Sequence, residues 1–169
     1  MFKKVLLALA VALPACAWAQ APKFGVVDAE AIIPKMAEFA EAQTKINDAS
    51  KTYESEYAKI SEELQKKYTE FQELEKDPAT LQSIKERRMQ EIQELDKKAQ
   101  QFAQTAQQDL QRQQAQLMQP IQEKVVSAIK SVGTEGGFTM IFPEAVPAYV
   151  SGDVQDVTAL VKAKLGVKD

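Results

Sequence analysis

The 169-residue sequence contains no histidine, a single cysteine (Cys16) and a single tryptophan (Trp18). Without histidine the chain lacks the usual general base and the commonest ligand of transition metals, and one cysteine cannot form a disulfide within the chain. We therefore expect no enzymatic activity, no metal site and no bound cofactor. The formal net charge of −3 argues against nucleic-acid binding, which requires a strongly basic surface.

The first twenty residues, MFKKVLLALAVALPACAWAQ, have the three-part pattern of a secretory signal. Two lysines precede an apolar run, residues 5–13, that is too short to cross a bilayer, and small residues follow it. We predict export and cleavage after Ala19. A less favoured alternative is lipidation of Cys16, because Leu13-Pro14-Ala15-Cys16 resembles a lipoprotein processing box, although Pro14 fits that box poorly.

Two long amphipathic helices are predicted on either side of a turn at Asp77 and Pro78. Apolar residues of the first helix recur about every 3.5 positions, the spacing of a helix that packs along a partner. Pro78 ends this helix, because proline disfavours helical angles in the preceding residue. The first stripe comprises Ile46, Ala49, Tyr53, Tyr57, Ile60, Leu64, Tyr68, Phe71 and Leu74; the second comprises Leu81, Ile84, Ile92, Leu95, Ala99, Phe102, Ala106, Leu110, Leu117, Ile121, Val125, Ala128 and Val132.

These stripes predict an antiparallel helical hairpin over residues 36–132, with its tip at residues 77–78. Charged residues around the first stripe include i,i+4 pairs such as Glu62 with Lys66, which are typical of a solvated helix surface. The hairpin would form an arm on the order of 60 to 75 Å long. Because each helix buries one stripe only, the arm cannot be a compact globule.

A glutamine-rich stretch, residues 100–122, contains eleven glutamines in twenty-three positions and ends near Pro120. Its composition is that of a flexible linker, but the second apolar stripe runs through it without interruption, so we interpret it as helix. Pro120 is a candidate arm hinge, because it cannot donate to the carbonyl of Gln116. Alternatively, Pro120 begins a separate helix that runs to Val132.

The two ends of the chain predict a small β-rich body. Strands are expected at residues 23–28 (KFGVVD), 138–142 (FTMIF) and 148–150 (AYV), with Gly133 and residues 135–137 as turns. Asp153 is a plausible N-cap of a short C-terminal helix. The predicted fold class is therefore α+β and mostly α: a long antiparallel helical hairpin on a small body.

We assign the body to residues 20–35 and 133–169. Three short strands and one short helix make a core too small to anchor long arms alone, so we expect a homo-oligomer in which several copies complete the body. The candidate oligomerisation residues are Phe24, Val26, Val27, Ile141, Phe142 and Tyr149.

With its export signal, its opening KFGVVDAEAII, its long hairpin and its closing AYVSGDVQDVTALVKAKL, the chain resembles the Skp (OmpH-like) periplasmic chaperones. The resemblance implies a homotrimer in the periplasm whose arms enclose a cavity. It also implies an ATP-independent holdase that binds unfolded outer-membrane proteins there and prevents their aggregation in transit. It implies no stable insertion into the membrane.

The charge of the arm departs from that family, whose familiar members are strongly basic. Residues 41–131 contain 14 lysines and arginines against 16 aspartates and glutamates, a net of −2. We therefore expect short-range apolar and amide contacts to hold clients, and we carry over no lipopolysaccharide site. The rival hypotheses are a structural periplasmic coiled coil or envelope tether without chaperone activity, and a prefoldin-like holdase. The export signal argues against the second, which is cytosolic.

Overall fold

The computed structural model describes residues 21–167, so the predicted signal peptide, Cys16 and Trp18 lie outside the described residues. Its elements in chain order are β1 (Phe24–Val27), α1 (Ala29–Ile32), a 3-10 turn (Ile33–Lys35), α2 (Ala37–Lys76), α3 (Gln82–Gly136), β2 (Met140–Pro143), β3 (Gln155–Asp156) and α4 (Thr158–Leu165). The 40 residues of α2 and the 55 residues of α3 extend over about 60 and 80 Å. The fold class is the predicted one.

Helices α2 and α3 form an antiparallel hairpin, as contacts at both of its ends establish. Near the body, Lys124 of α3 is paired with Glu38 of α2. Near the tip, Lys67 of α2 lies 3.7 Å from Glu91 of α3. Residues late in α2 therefore lie beside residues early in α3. The helix α3 is continuous through Pro120, as the preferred interpretation predicts, and the alternative of a separate helix is wrong.

The body contains a three-stranded parallel sheet in the order β2-β1-β3. Strand β1 occupies the centre and has the apolar sequence FGVV, of which Gly25, Val26 and Val27 are buried. Residues 24–27 pair with residues 140–143 on one side, and Gly25 and Val26 pair with β3 on the other. The whole hairpin is thus the connection between two neighbouring strands.

The predicted strand at residues 148–150 is wrong: these residues form irregular, exposed structure, and Gln155 and Asp156 pair with β1 instead. The reason is topological. After β2 the chain turns, with the N–H of Val146 donating to Pro143, and must cross to the opposite edge of β1 before it can run parallel to it. Residues 144–154 make that crossing, so they are used as a connection.

The ends of two helices also differ from prediction. Asp153 does not cap α4; the carboxylate of Asp156 accepts the N–H of Thr158 at 2.8 Å, because the chain is still in the sheet until residue 156. Helix α3 continues through Gly133 to Gly136 and is capped by Gly137, whose φ of 64° is a left-handed conformation that favours glycine.

The main core lies where the base of α3, β1, α1 and α4 meet. Ile32, Val157 and Val161 are fully buried there. The other buried members of this cluster are Val27, Met36, Ala42, Ile121, Val125, Ala128 and Val132. No polar or charged side chain is buried within residues 21–167. This core therefore fixes the base of the arm to the body by apolar packing.

We predict that Ile32→Ala lowers the free energy of unfolding by about 2 to 5 kcal/mol, because it removes buried methyl groups and leaves a cavity. The matched control is Ile84→Ala near the arm tip, where the side chain is 44% exposed and the expected loss is about 0.5 kcal/mol or less. Urea titrations at one fixed protein concentration measure both. Equal losses would contradict the assignment of the main core to the body.

Candidate functional site

The six candidate oligomerisation residues lie in different surroundings. Val26 and Val27 are buried in the sheet, and Phe24 is half-buried. Ile141 packs against the main core. Phe142 and Tyr149 are exposed, Tyr149 by 83%. Only the exposed members are free to contact another chain.

Among the described residues, the outer edge of strand β2 has no neighbour in the sheet, and the segment of residues 140–150 exposes apolar side chains. Besides Phe142 and Tyr149, it exposes Met140, Val146 and Val150. We call these five residues the body patch. An unpaired strand edge beside exposed apolar side chains is a template for association with another chain. Phe142 and Tyr149 are among the residues that the sequence suggested for oligomerisation; Met140, Val146 and Val150 are not.

At the arm tip, Asp77 organises the turn between the helices. Its carboxylate accepts the N–H of Ala79 at 2.9 Å and the hydroxyl of Thr80 at 3.0 Å. These two bonds hold the pKa of Asp77 below its ordinary value. The ammonium of Lys85 donates to the carbonyls of Glu75 and Asp77 at the end of α2. Pro78 follows in the turn itself, as predicted from its effect on the preceding residue.

Four members of the predicted stripes are exposed. Tyr57 and Tyr68 are 44% and 42% exposed, and Leu81 and Ile84 are also exposed. The first stripe does not leave the contact progressively, because Ile60 and Leu64 between the two tyrosines are half-buried and Phe71 beyond them is buried. Leu81 is the residue before α3 and Ile84 lies in its first turn, both beyond the end of α2. The arm therefore carries exposed apolar groups along its length.

Aromatic residues from both helices meet midway along the arm. The rings of Tyr53 and Phe102 pack edge to face, with centroids 6.0 Å apart. The hydroxyl of Tyr53 donates to Asp109 at 3.2 Å, and Arg112 lies 3.0 Å from the same carboxylate. Partial burial raises the pKa of Tyr53, and the charge of Asp109 raises it further.

Next to this pair the two helices leave a cavity of about 420 Å³. Its lining includes Ile46, Tyr53, Tyr57, Phe102, Ala106 and Leu110. We call it the mid-arm pocket. Sequence reasoning missed it, although an aromatic residue occurs in both stripes, because the register between the helices decides which residues meet.

Pro120 lies on α3 close to the body, beside a cavity of about 250 Å³ whose lining includes Ala42, Leu117 and Ile121. On the same cavity, the carboxylate of Glu38 accepts a hydrogen bond from Lys124. That bond lowers the pKa of Glu38. Pro120 thus combines a missing backbone hydrogen bond with incomplete packing, which keeps it a candidate hinge.

Within residues 21–167, no group of three or more acidic side chains is placed to hold a metal ion, and no helix has an apolar stretch long enough to cross a bilayer. What this part of the chain does offer is surface: the body patch, the mid-arm pocket and the exposed apolar residues of the arm.

Known proteins share the sequence pattern and the fold of this chain. Residues 23–165 match the family described as outer membrane protein (OmpH-like). A crystal structure of a proposed outer membrane chaperone (OmpH-like) from Caulobacter crescentus CB15 superposes with a TM-score of 0.73 at 11% identity, over 86% of this chain and 84% of that one. That likeness establishes the shared fold. No curated protein sequence matches this chain.

We predict that Pro120→Ala narrows the range of arm positions, because it restores the N–H that can donate to Gln116 and removes the ring from the helix. Pulsed spin-label distances between arm tips, with labels at Thr80, measure the spread. Ala115→Pro, which introduces a second break in an exposed part of α3, is the control with the opposite expected effect, a wider range of arm positions. An unchanged distribution in Pro120→Ala would show that residue 120 is not a hinge.

Proposed function

This chain belongs to the OmpH-like family, and from that membership we propose that it is an ATP-independent periplasmic holdase chaperone. It binds unfolded outer-membrane proteins in a cavity between helical arms and prevents their aggregation in transit to the outer membrane. The observation that carries this proposal is the arm itself. A hairpin of two helices, about 60 to 80 Å long, extends from a small body and exposes apolar residues along its surface.

The physics of the client explains the use of such an arm. A β-barrel chain that has not closed exposes strand edges that pair with other chains. A holdase must separate these chains without trapping one conformation. Exposed side chains such as Tyr57, Tyr68 and Leu81 offer apolar contacts, separated by polar surface. Such scattered contacts are individually weak and release the client readily.

The glutamine-rich part of α3 suits the same task. Carboxamides both donate and accept hydrogen bonds, so they can bond peptide groups of any sequence without a fixed charge. Residues 100–122 are helical throughout and mostly exposed, which places many carboxamides on the arm surface. This surface supports binding that does not depend on a particular client sequence.

Assembly into a homotrimer is part of the proposal. The body patch leaves Met140, Phe142 and Tyr149 in solvent, and the first two belong to the strand whose edge is open. Burial of this surface between copies would complete the sheet and set several arms around one space. Location in the periplasm rests on the predicted signal and on the family.

We predict that the protein suppresses aggregation of a urea-unfolded outer-membrane protein after dilution of the urea, without nucleotide, at about three chains per client. Light scattering measures the effect. The matched comparison is an unrelated coiled coil of equal length and net charge, which should not suppress scattering. If the protein has no more effect than this comparison, the alternative of a structural coiled coil or envelope tether is correct and the chaperone proposal is wrong.

We predict that client affinity falls by less than about tenfold between 50 and 500 mM salt, because salt screens only long-range attraction between exposed charges. The matched control is Glu62→Lys with Glu63→Lys, which changes the net charge of residues 41–131 from −2 to +2. This control should bind acidic clients more tightly and lose that gain in salt. A steep salt dependence of the parent protein would contradict short-range binding.

A further inference from the structure

The mid-arm pocket has the size of a binding site. Its volume of about 420 Å³ lies within the range of roughly 300 to 1,000 Å³ that is usual for pockets binding small organic groups. It opens between α2 and α3, so a group on a flexible chain can enter it from the side of the arm. A bulky side chain of another polypeptide fits this description.

Aromatic rings and small residues give the pocket its shape. Tyr53 and Phe102 form one wall through their edge-to-face contact, and Tyr57 lies on the rim with 44% of its surface exposed. Ala103 and Ala106 supply small side chains on α3, which leave space that a larger residue would fill. Aromatic rings prefer offset or edge-to-face contacts with further rings, so the walls are suited to an aromatic guest.

The only charged side chain that lines the pocket is negative. Among its lining residues Glu54 is the only carboxylate, and there is no lysine or arginine. Ser50 donates to Glu54 at 3.0 Å, whereas the nearby carboxylate of Asp109 is already paired with Arg112. A cation beside the guest would therefore meet Glu54 and the faces of the aromatic rings, both of which attract positive charge. An acidic neighbour would be repelled.

The polar part of the rim suits a peptide backbone. Gln107, Gln111 and Gln114 line the pocket on α3 and are exposed. Their carboxamides can donate to peptide carbonyls and accept from peptide N–H groups without regard to sequence. The aromatic walls, the negative charge and the amide-rich rim together therefore suit an aromatic side chain of a peptide with a neighbouring cation.

We propose that the mid-arm pocket binds an aromatic side chain of an unfolded polypeptide, in a segment where a lysine or arginine neighbours the aromatic residue. The proposal rests on the chaperone function and names the client feature that the arm recognises. Binding places the aromatic ring in the pocket, against Tyr53 of α2 and against Phe102 and the alanines of α3. The adjacent cation lies near Glu54.

The test uses tryptophan peptides and the Trp18→Phe variant, which contains no tryptophan, so that all tryptophan emission comes from the probe. One peptide carries tryptophan between two lysines in a glycine-serine host, and a second carries it between two aspartates. We expect the lysine peptide to show a blue shift on binding and an affinity about fivefold or more above that of the aspartate peptide. Equal affinities would overturn the charge argument.

A substitution that fills the pocket tests whether the peptide binds there. In the same background, Ala103→Leu should weaken the lysine peptide by about tenfold or more, because it occupies the space for the ring. Ala115→Leu makes the same change at an exposed position of α3 outside the pocket and should have no effect. Tyr57→Ala, which removes a rim residue without adding bulk, provides a second variant. Unchanged binding in both pocket variants overturns the proposal.

Glu54→Gln distinguishes the contribution of the peptide's cation to binding from the contribution of its aromatic ring. It should reduce the preference for lysine over aspartate to less than about twofold while the blue shift remains, because the aromatic walls are intact. A retained preference would show that another acidic group supplies it and would overturn the role of Glu54.

The aggregation assay distinguishes failure of the pocket from failure of the chaperone. If the protein suppresses aggregation but Ala103→Leu and Tyr57→Ala bind the lysine peptide normally, the pocket proposal is wrong and the chaperone function stands. If the peptide binds with the expected preference but aggregation is not suppressed, the pocket is a peptide site and the chaperone function is wrong.

Discussion

Parallel pairing of β1 with β2 is the constraint on which the rest of the structure depends. The two strands are separated by the whole hairpin, so their pairing closes a very long loop and brings the base of α2 beside the end of α3. The pairing continues beyond the strands: Thr139 donates to Lys23 at 2.7 Å and Glu144 donates to Val27 at 2.9 Å. Since loop closure costs entropy that grows slowly with length, a few strand bonds and one apolar core suffice to hold an arm of this size.

The helices were predictable because their signal is repeated many times. Each apolar position in a long stripe supports the same interpretation, and an isolated proline or a run of glutamines changes it little; Pro120 lies within a continuous helix for this reason. The same repetition did not predict how deeply each member is buried, since Tyr57 and Tyr68 are exposed although Phe71, further along the same stripe, is buried. The amphipathic pattern therefore predicted the helical segments well and predicted less well which residues are buried between the helices.

The short elements were less predictable because their stability depends on partners far away in the sequence. The segment AYV has the composition of a strand, yet β3 is formed by Gln155 and Asp156, which have little strand propensity. Their pairing follows from the position of β1 and the length of the crossing after β2. The mid-arm pocket was missed for a similar reason, since nothing within α2 alone indicates that Tyr53 will lie beside Phe102 and Asp109.

Burial along the arm is uneven. Within α2 the only buried residues are Ala42 near the body and Phe71 near the tip, and Ala99 and Ala106 are the only ones buried along the middle of α3. Large apolar side chains such as Ile92 and Leu95 pack near the tip, as Ile121 and Val125 do near the body. Large apolar side chains are therefore buried mainly toward the tip and the base, whereas at mid-span the helices meet through small residues and the Tyr53–Phe102 ring contact. A separation of the helices at the centre exposes less buried apolar surface than one at either end.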